Sequence, residues 1–187
     1  MTLFIGLAGP ENVGKDTTAN AIIKMMNFNY SGICINKASF SDELYELVWH
    51  ITGIPIRTLQ DRQYKETKWT ELTAPLPCLI GYSPRDLLNK VGTDCFRKLI
   101  HDEFWIQKCK KKQNHYNIVI IPDVRFVNEA KSCDYVFELC RQGIQYTNKY
   151  ESAYRLPDEC LHEQIHLHPK IDFSSVCDKI ISLYERI

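Results

Sequence analysis

The sequence of 187 residues predicts an α/β fold, a central parallel sheet with helices on both faces. Three observations carry that expectation. Short apolar runs suited to buried strands alternate with segments whose apolar residues fall at helical spacing. The first of these runs passes through a glycine-bounded loop straight into a helical pattern. Asn117-Ile118-Val119-Ile120-Ile121 has the uninterrupted apolar character of a fully buried central strand and stops at Pro122-Asp123.

Element by element, Leu3-Phe4-Ile5-Gly6-Leu7-Ala8 reads as a buried strand ending at Gly9-Pro10. After Gly14-Lys15 the apolar residues Ala19, Ile22, Ile23 and Met26 mark a helix. Ile33 and Ile35 carry a second strand toward Phe40. Ser41 then stands as an N-cap before the acidic first turn Asp42-Glu43 and the apolar face Leu44, Leu47, Val48 and Ile51. Residues 53–82 hold Pro55, Pro75, Pro77 and Gly81 and read as loops with short helical pieces, an insertion of the kind that builds a substrate site. Ser83-Pro84-Arg85-Asp86 has a cap, a proline at the first helical position and an acid three residues after the cap, so a helix starts there. The basic residues within 108–112 suit the C-terminal turn of the next helix. Beyond the strand at 117–121, Tyr135 to Arg141 forms another, Ile165 to Leu167 a short last one, and Val176, Ile180 and Tyr184 lie on a final helix. The chain is expected to be one domain over 1–187, with a substrate-side insertion at about 53–82 and a lid-like segment at about 141–163.

Composition narrows the function classes. Apolar residues at 44% and charged residues at 25% describe an ordinary globular protein, and 23 basic against 23 acidic residues leave no global field to recruit nucleic acid or an anionic membrane. Any anion must be held by a local site. Eight cysteines contain no C-x-x-C pair, and the start Met1-Thr2-Leu3-Phe4 lacks the basic and long apolar stretches of a secretory leader. They read as reduced thiols, mostly core filler, in a cytoplasmic setting, and no cysteine cluster has structural zinc spacing. The longest apolar runs are too short to span a bilayer.

The chemistry gathers at Gly9-Pro10-Glu11-Asn12-Val13-Gly14-Lys15, which has the G-x-x-x-x-G-K spacing. In that spacing backbone N–H groups wrap an anion and the lysine reaches the outer phosphates, while the helix beginning near Lys15 adds its positive end. Gly9, Asn12, Val13, Gly14, Lys15, Asp16, Thr17 and Thr18 are therefore the candidate phosphate and cofactor contacts. Asp16 stands where Ser or Thr usually sits beside the magnesium. It has two readings: a carboxylate that contacts hydrated magnesium, or a first-turn acid stabilised by the helix dipole. Asp123 likewise reads as a metal-side acid ending its strand or as a helix cap.

Several segments together resemble a known family, the phage-type deoxynucleoside monophosphate kinases of the P-loop kinase superfamily. The matching segments are Gly14-Lys15-Asp16-Thr17, Phe40-Ser41-Asp42, the stretch from Ser83-Pro84-Arg85 to Gly92-Thr93-Asp94 with Arg97 and Trp105 after it, and Pro122-Asp123-Val124-Arg125-Phe126-Val127-Asn128-Glu129-Ala130. The resemblance runs from the start of the chain to about Arg141; beyond it Leu161-His162-Glu163-Gln164 only echoes the family pattern. It implies a P-loop kinase three-layer fold with a helical substrate-binding insertion and a lid. It further implies transfer of the ATP γ-phosphoryl group, with Mg2+, to a deoxynucleoside monophosphate. Lys15, Asp123, Arg125 and Arg141 become the catalytic candidates; Asp42, Arg85, Asp123, Arg125 and Glu129 the substrate-binding ones; Asp16 and Asp123 the metal ligands. Arginine suits the role because its planar fork pairs with phosphate oxygens. Arg85 retains the alternative of a surface ion pair, and Asp42 that of a first-turn acid. The implied partners are small nucleotides, with neither nucleic acid nor membrane, and a homodimer is left open.

Rival readings remain. A switch GTPase fails at guanine recognition, because Asn89-Lys90-Val91 is followed by Gly92. A same-fold kinase of another phosphorylated small molecule, phosphomevalonate-like, tolerates Gly-Lys-Asp, and a catalytically silent nucleotide-binding scaffold shares the loop. His162, His166 and His168 lack the carboxylate pattern that would make them a metal site.

Overall fold

The structure, a computed structural model, describes residues 1–146 and 155–187. It divides into two compact units, one made of Met1–Phe40 with Cys109–Ile187, the other of Ser41–Lys108.

The first unit is the α/β body. Strands β1 (Leu3–Ala8), β2 (Ile35–Lys37), β3 (Ile118–Ile121), β4 (Tyr135–Arg141) and β5 (Glu163–Leu167) form a parallel sheet in the order β2-β3-β1-β4-β5. Parallel pairing exposes neither face to water, so β1 and β3 are buried at every residue. On one face Leu3, Ile5 and Leu7 join Phe137, Leu139, Ile165 and Leu167 against α1 (Lys15–Asn29) and the final helix Ser174–Tyr184, which contribute Ala19, Ile22, Met26, Val176 and Ile180. On the other face Gly6 lies against Val124, Cys133 and Val136: a Cβ at Gly6 would meet Val124 at 2.9 Å. Lys110, near the end of the helix Phe104–Gln113, lies 4.8 Å from the centre of the Phe4 ring on that face and donates to the carbonyl of Ser132, which ends the helix Val127–Ser132. Because β1 is central, the loop that follows it emerges between the C-terminal ends of β3 and β4, where ligands of such sheets bind.

The second unit is helical. Its elements are α2 (Asp42–Thr52), α3 (Ile56–Gln60), α4 (Arg62–Glu66), a 3-10 turn Pro77–Leu79, α5 (Pro84–Asn89) and the π-helix Lys90–Ile100 that continues it. Its core is Tyr45, Val48, Leu59, Trp69, Leu87 and Leu88. Residues 53–82 lie within this unit.

Some local expectations are corrected. The second strand is only Ile35–Lys37 rather than a run to Phe40, and β5 starts earlier, at Glu163. Ser41 occupies the N-cap position of α2, yet its side chain makes no cap hydrogen bond, because its backbone is already in the right-handed helical region. The helix begun at Ser83 widens at Lys90 into a π-helix that the sequence does not announce. Of the eight cysteines, Cys109, Cys133, Cys160 and Cys177 are buried, whereas Cys34, Cys78 and Cys95 are exposed, so fewer fill the core than expected. Residues 147–154 of the lid-like segment lie outside the described residues; the rest of it comprises the end of β4, a 3-10 turn Asp158–Cys160 and the start of β5. Among the described residues no helix is long and apolar enough to cross a membrane.

Candidate active site

The loop between β1 and α1 is shaped by left-handed backbone at Gly9 (φ 136°), Asn12 (φ 62°) and Gly14 (φ 108°). Glycine is required at two of these. A Cβ on Gly9 would stand 2.7 Å from the Leu139 carbonyl, and one on Gly14 would stand 3.1 Å from Nη2 of Arg141. Val13 faces inward, fully buried, and pins the loop to the core. Gly14 caps α1 without a side chain, so the first-turn amides of a 15-residue helix open onto the loop. Successive turns of this kind make a concave anion cradle.

Lys15 closes over the cradle: its Nζ donates to the carbonyls of Gly9 at 2.8 Å and Pro10 at 2.9 Å. Asp16, exposed in the first turn, pairs with Lys37 at the C-terminal end of β2, at 3.2 Å. Thr17 is exposed and Thr18 buried.

Two strands bring further candidates to the loop. Past β3, the Asp123 carboxylate accepts from the Ser39 hydroxyl, a very short contact, and from the Phe40 amide at 3.2 Å. It therefore ties down the chain leaving β2 and is not the cap of Val127–Ser132, whose N-cap position is Phe126. Arg125 is exposed and makes no ion pair among the described residues. Its backbone is held by Glu129, which is 3% exposed and whose Oε2 accepts from the amides of Arg125 at 2.8 Å and Phe126 at 3.1 Å. Glu129 thus shapes the turn that presents Arg125. At the end of β4, Arg141 packs against Gly14.

Asp42 and Arg85 belong to the helical unit. Asp42 opens α2. Arg85 Nε donates to Glu66 Oε1 at 2.5 Å, so the surface ion pair foreseen as its alternative is present. The helix carrying it begins with the expected capping box of Ser83 and Asp86.

A curated relative, the deoxynucleoside-5'-monophosphate kinase of Escherichia phage T5, is 25% identical, in an alignment covering 70% of this chain and 71% of the relative. The chain is similar to that kinase. The likeness bears out the family resemblance read from the sequence and supports nucleotide-kinase character of the P-loop type. No family model matches the chain. Among solved structures, a plasmid partition protein from Borrelia burgdorferi aligns over 97% of this chain and 87% of its own at 13% identity, with a TM-score of 0.41, too low to carry an argument.

The similarity to the phage kinase raises the question of magnesium. Asp16, Asp123 and the Thr17 hydroxyl are hard oxygen donors. Magnesium takes only one or two carboxylates besides phosphate and water, so these donors suit it in kind; Asp16 is paired with Lys37, and the described residues hold no group of three or more His, Cys, Asp or Glu side chains that could bind a metal by themselves.

One group at the same end of the sheet escaped the sequence reading. Glu138 sits inside the apolar strand Tyr135–Arg141 at 6% exposure and lines a cavity of about 690 Å3 together with Pro10, Cys140, Arg141, Gln164 and His166. Burial, and after it the Glu138 carboxylate, push the Cys140 thiol up. A charged residue interrupting a buried strand was the available signal.

Proposed function

We propose that the protein is a deoxynucleoside monophosphate kinase: it transfers the γ-phosphoryl group of ATP to the 5′-phosphate of a deoxynucleoside monophosphate, giving the diphosphate and ADP. The observation that carries this reading is the Lys15 ammonium resting on the Gly9 and Pro10 carbonyls across a left-handed cradle. Two neutral carbonyls are weak partners for an ammonium, and a donor phosphate entering the cradle replaces them with full negative charge.

The nucleophile is already an anionic phosphate oxygen, so no strong base is needed. It attacks the γ-phosphorus, the bond to the β–γ bridging oxygen breaks, and ADP leaves with that electron pair. The demand is positional and electrostatic: two repelling phosphates must be aligned and the spread charge neutralised. Lys15 holds the donor phosphates, Arg141 beside Gly14 borders the transferring group, and Arg125 grips the acceptor phosphate with its fork. Asp16 and Asp123 would hold magnesium, which would supply charge neutralisation at the donor phosphates. Asp42 and Arg85 are the further acceptor contacts, a role that requires Arg85 to exchange Glu66 for phosphate.

A coupled ADP-release assay across the deoxynucleoside monophosphates, with phosphomevalonate as a control acceptor, tests the reading. ADP release dependent on a deoxynucleoside monophosphate supports it. Release with phosphomevalonate alone assigns the site to the rival substrate, and release with none of them overturns the kinase reading.

A further inference from the structure

Glu138 is the group the proposed reaction does not use, and its placement is costly. A carboxylate at 6% exposure within a strand whose residues Val136 to Leu139 are all buried must be offset by a partner or a ligand. Its partner is Gln164, in register across the β4–β5 ladder, whose Nε2 donates to Glu138 Oε2 at 2.7 Å. A carboxylate only accepts, so the carboxamide must turn its NH2 group toward it. That leaves Glu138 Oε1 and Gln164 Oε1 as acceptors without a hydrogen-bond donor among the described residues.

This acceptor pair lines the 690 Å3 cavity that reaches the phosphate loop at Pro10. Arg141, also on the cavity wall, packs against Gly14 at the loop's other end, and Arg155 adds a second guanidinium. The charges set the direction in which a nucleotide enters. The Glu138 carboxylate repels phosphate while the loop and the guanidinium groups attract it, so the phosphates stay at the loop and the base faces Glu138 and Gln164.

We propose that Glu138 and Gln164 read the exocyclic amino group of the nucleobase belonging to the nucleotide whose phosphates occupy the loop. The two N–H bonds of the adenine N6 amine match two adjacent acceptors. An oxo group at the same position sets oxygen against oxygen and is rejected. The pair thereby selects an adenine nucleotide as phosphoryl donor, an inference that rests on reading the loop as a nucleotide-phosphate site.

The test is calorimetric titration of the full chain with ADP, IDP and pyrophosphate. IDP differs from ADP by an oxo group in place of the amine, with a proton on the neighbouring N1. ADP is expected to bind at least about tenfold more tightly than IDP, because the oxo group leaves a buried acceptor unpaired. Glu138→Gln offers a donor as well as an acceptor, so it should weaken ADP, strengthen IDP and bring the ratio near unity while pyrophosphate binding stays unchanged. Gln164→Met, at an exposed position that the fold tolerates, should also lower the ratio if Glu138→Gln fails to fold. Equal binding of ADP and IDP by the wild-type chain overturns the inference and leaves the loop reading intact, as does a ratio that neither substitution moves. Binding of none of the three ligands overturns the loop reading itself.

Discussion

Asp16 at the start of α1 and Lys37 at the end of β2 form an ion pair at 3.2 Å, with side chains 77% and 36% exposed. The pair holds the carboxylate that the proposed reaction assigns to magnesium. At such exposure the pair contributes about 1 kcal/mol or less to stability, so its interest lies in competition. Asp16→Asn should raise the magnesium concentration needed for half-maximal rate and lower kcat, with a Tm change within about 4 °C. Lys37→Met, removing the competitor, should shift the magnesium requirement the other way. Magnesium titrations of rate, with melting curves alongside, check both. An early-melting Asp16→Asn protein with ordinary magnesium dependence would make Asp16 a structural first-turn acid and leave the metal to Asp123.

Lys15→Met removes the ammonium that closes the loop while keeping a flexible, similar-sized side chain. Turnover should fall by orders of magnitude, and circular dichroism and melting should change little, because Lys15 Nζ is part-buried at the loop and its bonds to the Gly9 and Pro10 carbonyls lie within that loop. Wild-type-like phosphoryl transfer by the folded variant removes the central claim.

The helical unit has its own checkable anchor at Ser83. Asp86 Oδ2 accepts from the Ser83 amide and hydroxyl at 2.9 Å each, and Ser83 Oγ accepts from the Asp86 amide at 3.2 Å. Ser83→Ala should cost about 1 kcal/mol. Those Ser83 contacts, backbone first, hold the Asp86 carboxyl below its ordinary value of 3.8. A depressed carboxyl contributes stability above its unfolded pKa and loses it as pH falls through the lowered folded value. The gap in urea midpoint between wild type and Asp86→Asn should therefore be wider at about pH 6 than at about pH 3. An unchanged gap means the charge of Asp86 adds nothing to the cap.

What could be read in advance was local. Ser83-Pro84-Arg85-Asp86 contains its own capping chemistry within four residues, and the Gly9 to Lys15 spacing specifies a loop whose strand and helix lie on either side of it. The apolar runs that became β1 and β3 were legible because burial on both faces leaves no polar position to confuse the pattern. What could not be read depends on strand order. Lys37 meets Asp16 across 21 residues, and Ser39 meets Asp123 across 84, only because β2 and β3 are neighbours on one side of β1. The Glu138–Gln164 pair needs the β4–β5 register. The π-helix Lys90–Ile100 has an ordinary helical composition, and nothing in its sequence accounts for the wider turn.

Glu129 separates two views of the Asp123 to Ala130 segment, one in which it binds substrate and one in which it positions Arg125. The positioning view follows from its burial and from the two amides its Oε2 accepts. Glu129→Ala leaves those part-buried amides without their acceptor, at about 1 kcal/mol or more, and lets the turn under Arg125 relax. Its Tm should fall, and its kinetics should shift in the same direction as those of Arg125→Lys, which keeps charge but loses the fork: a higher acceptor KM, a lower kcat, or both. Glu129→Gln retains one acceptor oxygen for the amides and should lie between wild type and Glu129→Ala in both Tm and rate. A Glu129→Gln protein with wild-type melting and a raised acceptor KM would place the Glu129 carboxylate on the substrate instead. If Arg125→Lys altered only the ATP KM, the guanidinium would belong to the donor, and Arg141 beside Gly14 would have to share that end of the site.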